Sequence, residues 1–291
     1  MEASPAPRRR RYRLRRRLSE AAALGFAVIV LIWTLMPIYN IVLVSLEPHG
    51  DVFTNDVWPA KPSLEGFRVV MTQGYWYLAN FWHQFGNSLY IGMATVFLTL
   101  FIGSLASFAI GRMRIRHGWL VSNAALLTYV IPASFLSIPF YLIMHTYGLT
   151  NNLWSVIAAE VTFATPYAIF IFQQYGASIP LELDEAARID GATPLQVYFR
   201  IYLPLMAPAL VAVGTYALLL AWNEYLYQFL LLSSKRSMTV PVALAQFLNS
   251  DESPWNYMMA TAIVYAVPPV AIYYIFRGRM TAGLTAGGVK G

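Results

Sequence analysis

Six long apolar stretches, roughly 21–46, 87–110, 119–146, 153–175, 203–232 and 257–276, alternate with short polar segments along the chain. Each is long enough for a helix to cross the hydrocarbon core of a bilayer, which takes about 20 mostly apolar residues. The runs are continuous, whereas a barrel strand alternates apolar and polar positions over only about 10 residues, so the pattern predicts helices. The expected fold class is all-α, a polytopic membrane protein with six transmembrane helices. Its parts are a basic tail at 1–20, a transmembrane domain at 21–276 and a second tail at 277–291. One polar segment stands apart from this pattern. Residues 180–208 form an island holding Glu182, Asp184, Glu185, Arg188, Asp190 and Arg200, all expected to face water between the fourth and fifth spans.

Composition agrees with this picture: 58% of the residues are hydrophobic and only 12% charged, and the mean hydropathy is +0.52, values of a bilayer-embedded chain rather than a soluble one. The absence of cysteine removes disulfides, thiolate zinc sites and thiol nucleophiles together. His49, His83, His117 and His145 are too scattered to suggest a metal site. The net charge of +6 comes mostly from Arg8–Arg11, Arg13 and Arg15–Arg17. Directly before an apolar run, that cluster reads as a retention signal holding its end in the cytoplasm, in preference to a nucleic-acid-binding arm. The run to Leu46 also exceeds the apolar core of a signal peptide, about 7–15 residues. Lys61, Arg68, Lys235 and Arg236 are the basic residues left for the opposite side, so both termini and the island are expected to be cytoplasmic.

The first outer loop, about 47–86, is rich in aromatic residues, among them Trp58, Tyr75, Trp76, Tyr77, Trp82 and Phe85, and reads as an interfacial belt. Pro37, Pro132, Pro139, Pro166 and Pro268-Pro269 interrupt the spans and should bend them. Gly92, Gly103, Ser104, Ala106 and Ser107 give the second span a small-residue face for close helix packing.

Within the island, Pro180 presets a first helical turn, and Glu182, Asp184 and Glu185 follow where the helix dipole favours negative charge. Ala186 and Ala187 propagate a short helix, and Gly191 with Thr193-Pro194 ends it. The product is a low-profile helical knob. Gly191 is expected to turn the chain back, either at positive φ or because a side chain would strike the wall of a partner's groove.

Glu185-Ala186-Ala187, Gly191, Ile201 and Leu203-Pro204 resemble, residue by residue, the cytoplasmic loop of permease subunits in ATP-binding-cassette importers. Asp190-Gly191-Ala192, Phe85 with Asn87-Ser88, Trp222-Asn223-Glu224-Tyr225 and the tail Gly283–Gly291 narrow the resemblance. Over roughly residues 20–291 the chain is similar to the six-span carbohydrate permeases of type I importers, the group that includes the second permease subunit of the maltose importer. That resemblance implies a type I importer permease (MetI-like) fold in a bacterial inner membrane. It also implies a second permease subunit, two ATP-binding-cassette ATPase subunits, an extracytoplasmic sugar-binding protein and a sugar or oligosaccharide as substrate. Glu185, Ala186, Ala187, Asp190 and Gly191 would dock an ATPase, and Gly287, Val289 and Lys290 of the tail would touch it.

The residues themselves are consistent with a subunit lacking its own motor. No Gly-x-x-x-x-Gly-Lys-Ser/Thr phosphate loop is present, and none of Lys61, Lys235 and Lys290 follows a glycine. ATP and magnesium are therefore expected on partner subunits, with no cofactor and no metal in this chain. Glu160 and Glu224 are acidic residues at membrane depth, where a charge costs about 2.5–3.5 kcal/mol on insertion scales and must face the bundle interior, water or a partner. Trp222, Asn223, Glu224 and Tyr225 are the candidate substrate path, with packing as the other role open to them. A permease for another solute such as a polyamine, or a secondary carrier coupled through intramembrane acids, is the alternative function. An intramembrane hydrolase finds no His-Glu-x-x-His or Gly-x-Ser-x-Gly motif.

Overall fold

The computed structural model describes residues 6–48, 56–113, 115–249 and 254–286, and Gly287, Val289 and Lys290 of the expected tail contact lie outside them. Among the described residues there is no strand. The chain divides into two units, residues 1–71 with 254–263, and residues 72–253 with 264–291.

The first unit begins with α1 (Ala6–Leu46), which runs without interruption through the boundary expected between basic tail and first span. No glycine or proline occurs between Arg8 and Leu24, Ala21–Ala23 are strong helix formers, and Arg16 pairs with Glu20 one turn on at 2.8 Å. The helix therefore has no reason to stop where the polarity changes. Its apolar stretch is uncovered on nearly all sides, with Trp33 78% exposed, as suits a helix in hydrocarbon. Burial starts only at Leu43 and Val44, which pack on Trp255 and Met259. There α2 (Glu65–Thr72) meets the first turns of α13 (Trp255–Ala286). A Cβ on Gly66 would come within 3.0 Å of the Asn256 carbonyl and 3.4 Å of the Ser45 carbonyl, so the contact requires glycine. Tyr257 donates to Glu65 at 2.9 Å and closes this corner.

The second unit is built on α3 (Phe81–Arg112), α6 (Leu153–Gly176) and α10 (Ala207–Asn223). Small residues set their spacing: a Cβ on Gly103 would lie 2.9 Å from Ala168, and one on Gly92 3.0 Å from Leu218. Asn152 starts α6 by accepting a hydrogen bond from the Trp154 N–H at 2.9 Å. Between α3 and α6, α4 (Gly118–Leu127) continues through a 3-10 turn at Thr128–Val130, and α5 (Ala133–Thr146) follows Pro132. These two helices meet at 102°, so the stretch 119–146 is a sharply bent pair, not one rod. Ile131 is extended ahead of Pro132, as the residue before a proline tends to be.

The island supplies α7 (Glu182–Ile189) and α8 (Pro194–Val197), and a π-helical turn at Tyr198–Tyr202 leads through α9 (Leu203–Leu205) into α10. The segments 194–205 and 207–223 are bent by 77° at a junction flanked by Pro204 and Pro208, which lack the N–H that a continuous helix would use. The apolar stretch 203–232 is also divided at its far end. Helix α10 stops at Asn223 because Glu224 is extended (φ −70, ψ 133), and α11 (Leu226–Leu231) is a separate short helix. A loop then reaches α12 (Val240–Gln246), whose last residue is followed by a 3-10 turn at Phe247–Asn249. Asn87 pins that loop to α3 by donating to the Arg236 and Met238 carbonyls at 2.8 and 2.9 Å, and Ser88 accepts from the Val240 N–H at 3.1 Å. Four helices are long and apolar enough to cross a membrane, or up to six if each bent pair is one span.

Part of the aromatic segment expected to form an interfacial belt packs inward. Phe81 is buried and Phe85 stands edge-on to Trp222 and Tyr265, whereas Trp76 and Trp82 remain exposed.

Candidate functional site

The knob expected from the island is present, and hydrogen bonds define both its ends. At the end of α7 the Gly191 N–H donates to the Arg188 carbonyl at 3.0 Å and the Ala192 N–H to the Ala187 carbonyl at 2.9 Å. That pair of bonds is the Schellman termination, which places the residue after the cap in the left-handed region. Gly191 occupies that position at φ +84, with no atom of the chain within 4 Å of where a Cβ would point. Thr193 and Gln196 then open α8 with a reciprocal capping box, Pro194 standing in its first turn. Helix α7 itself begins at Glu182, two residues beyond Pro180.

Of the docking candidates, Glu185, Ala186, Asp190 and Gly191 are exposed and Ala187 is half-buried. Ile189 beside them is 86% exposed, an apolar side chain with no cover from this chain. A cleft of about 420 Å³ lies next to Gly191, between Ala187 and Arg200.

Asp184 corrects the expectation that every charge of the island faces water. It is turned inward, 3% exposed, and forms an ion pair at 3.3 Å with Arg112, which is itself 6% exposed at the end of α3. The same guanidinium donates to the carbonyls of Gly176 and Ile179 at 3.1 and 2.9 Å and lies over the Tyr202 ring. One side chain thus ties together the ends of α3 and α6, the start of α7 and the π-helical turn that follows α8. A fork of five fixed N–H donors suits this task, and a single ammonium does not. Around it Phe108, Phe172, Tyr198, Tyr202 and Met206 form a buried cluster. Ser104 and Ser107 hydrogen-bond the hydroxyls of Tyr198 and Tyr202 at 2.7 and 3.1 Å. The knob is therefore keyed into the bundle, not tethered to it.

The four residues of the candidate path go to different places. Asn223 and Glu224 line a cavity of about 710 Å³ bounded by the α4–α5 hinge, α6, α10 and Tyr227. Trp222 does not reach it: the ring is buried, stacked on Tyr265 at 4.6 Å, and its backbone carbonyl accepts from the Tyr265 hydroxyl at 2.8 Å. Tyr225 stacks on Phe229 at 5.5 Å, away from the cavity lining. Glu224 accepts hydrogen bonds from the backbone N–H groups of Tyr227 and Gln228 at 3.0 and 3.1 Å, which caps α11. Glu160 lines the same cavity from α6. Two hydroxyl groups that sequence reading had not singled out join them. Tyr129 donates to the Phe163 carbonyl at 2.9 Å with the Tyr216 hydroxyl 3.3 Å away. Among the described residues no three His, Asp or Glu are grouped as metal ligands would be.

Long apolar helices, two sharply bent helix pairs and a knob keyed into the bundle define a multi-span helical membrane protein. In overall trace it matches a chain in the crystal structure of a bacterial ABC transporter involved in the import of the acidic polysaccharide alginate. The TM-score is 0.75, with 22% identity over 90% of this chain and 97% of that one. The chain belongs to the family of binding-protein-dependent transport system inner membrane components, whose pattern matches residues 100–284. It is 32% identical to the arabinooligosaccharides transport system permease protein AraQ of Halalkalibacterium halodurans, covering 94% of this chain and 97% of that one. To the trehalose transport system permease protein SugB of Mycobacterium tuberculosis it is 33% identical, over 89% and 93%. To the diacetylchitobiose uptake system permease protein DasC of Streptomyces coelicolor it is 29% identical, over 91% and 95%.

Proposed function

We propose that the chain is the permease subunit of an ATP-driven, binding-protein-dependent importer of sugars or oligosaccharides, and forms half of the translocation path. A second permease subunit completes that path. The complex contains two ATPase subunits, which bind ATP and magnesium; one of them docks on the island from the cytoplasm, and an external binding protein delivers the substrate. Both termini lie in the cytoplasm of a bacterial cell, and Gly287, Val289 and Lys290 of the tail touch the ATPase. Support for the sugar comes from the relatives named for arabinooligosaccharide, trehalose and diacetylchitobiose transport.

The observation that carries the docking role is the Arg112–Asp184 pair beneath the exposed face of α7. A motor that grips Glu185, Ala186, Ala187, Asp190 and Gly191 pulls on a knob whose inner side is fixed to α3 and α6 through one buried guanidinium. Displacement of the knob is then transmitted to the helices that line the cavity. Alternating access follows as a shift between two bundle conformations to which ATP-bound motor and loaded binding protein bind unequally. The test is uptake by the complex reconstituted in proteoliposomes with a panel of labelled sugars. Saccharide accumulation that needs both ATP and the binding protein is the expected result. Accumulation driven by a proton or sodium gradient without ATP would replace this reading with a secondary carrier.

A further inference from the structure

The cavity bounded by the α4–α5 hinge, α6 and α10 has a charge pattern that sugar import as such does not require. Its lining includes two carboxyl groups, Glu160 and Glu224, and no lysine, arginine or histidine. The two are held differently. Both oxygens of Glu224 are engaged by backbone N–H groups of α11. Glu160 is 1% exposed, and neither of its carboxyl oxygens has a hydrogen-bond partner among the described residues. A buried polar group without a partner is costly, so Glu160 is a group waiting for a donor. Tyr129, Tyr216 and Phe163 supply aromatic surface beside it, and Asn223 an amide. Polar groups converging on an apolar cavity of several hundred Å³ are what a small-molecule site needs.

We propose that this cavity is a saccharide subsite that accepts neutral or basic sugar units and rejects acidic ones, with Glu160 receiving hydroxyl or ammonium donors from the ring. The proposal rests on the sugar-permease reading. A sugar hydroxyl or protonated amine satisfies the Glu160 oxygens while the apolar face of the ring lies on aromatic surface. A uronic acid or sulfated unit meets Glu224 and finds no cation in the lining. If Glu160 is ionised it adds to the repulsion, and if it is neutral the incoming charge still lacks a counter-ion. Unpaired like charges removed from water are the usual means of rejecting a wrong ligand.

The test is direct binding to the purified complex in nanodiscs, with no binding protein present to impose its own selectivity. Three matched disaccharides serve as probes in saturation-transfer NMR: cellobiose, the basic diglucosamine and the acidic glucuronosyl-glucose. The neutral and basic probes are expected to bind, with the acidic one at least tenfold weaker. Glu160→Gln and Glu224→Gln each remove one carboxyl group at nearly constant shape, and in at least one of them the penalty on the acidic probe should shrink at least threefold, with the basic probe losing affinity. An acidic probe that binds wild type within twofold of cellobiose overturns the proposal, and this comparison needs no variant to fold. A penalty unchanged in both Glu160→Gln and Glu224→Gln overturns it as well. Failure of all three probes to bind rejects the subsite, while ATP-dependent sugar uptake in proteoliposomes would still uphold the permease reading.

Discussion

Gly191 shows how one residue's conformation sets the shape of the island's outer face. The sequence left two reasons for glycine there, a left-handed backbone or a crowded neighbour. Within this chain the first applies, since φ is +84 and the space around the missing Cβ is open. Holding an ordinary side chain in that region costs roughly 1–2 kcal/mol, and asparagine tolerates it better. Gly191→Asn is expected to keep most uptake activity, and Gly191→Val to lose it several-fold by unwinding the last turn of α7. Equal uptake by the two variants would show that the backbone conformation does not matter. Trp222 and Glu224, two positions apart in sequence, point to different surroundings because Glu224 is extended and ends α10. Removing the buried Trp222 ring, Trp222→Ala, should lower thermal stability by about 3–5 kcal/mol and leave sugar preference unchanged. A shift in preference at wild-type stability, measured by uptake competition beside a melting curve, would place the ring on the path after all.

At the scale of elements, the sequence made the end of α7 legible, but not the helix that follows it or the inner face of the island. Asp190-Gly191-Ala192 is a local signal that the structure realises as a Schellman turn, whereas Thr193-Pro194, expected to help end the first helix, instead opens α8 through a capping box with Gln196. Asp184 carries no local mark that separates it from Glu182 and Glu185, because its burial depends on Arg112, which is remote in sequence. Arg112 itself stood at the end of an apolar run, where a basic residue reads as an orientation signal. Periodicity likewise located the apolar stretches but not their bends. The prolines carry that information: Pro132, expected to bend its stretch, stands at the 102° turn, and Pro204 and Pro208 flank the 77° turn before α10. The ion pair yields a firm expectation. Asp184→Asn leaves a buried guanidinium without its counter-ion, which typically costs about 3–5 kcal/mol, so the variant should melt earlier and assemble poorly with the ATPase. The exchange Arg112→Asp with Asp184→Arg should recover part of that loss, as a double-mutant cycle on the purified permease pair would measure. Additive losses in the cycle would mean that the two side chains do not act as a unit.

For the whole molecule, the central claim is that the island converts work done on its outer face into movement of the helices behind it. Its outer charge at Glu185 is expected to matter little for folding, since that side chain is exposed and makes no ion pair among the described residues. Its inner charge at Asp184 is expected to matter more. The two faces of α7 can therefore be separated experimentally. The most direct measurement is Glu185→Lys in the reconstituted complex, following membrane insertion, ATPase co-purification and ATP-dependent sugar uptake in the same preparation. Reversing the charge should weaken contacts to the motor that are strengthened by charge and costly to lose once desolvated. The expected result is a protein inserted at wild-type levels, with diminished ATPase association and no uptake. Wild-type uptake and association in Glu185→Lys would contradict the claim that this knob is where the motor takes hold.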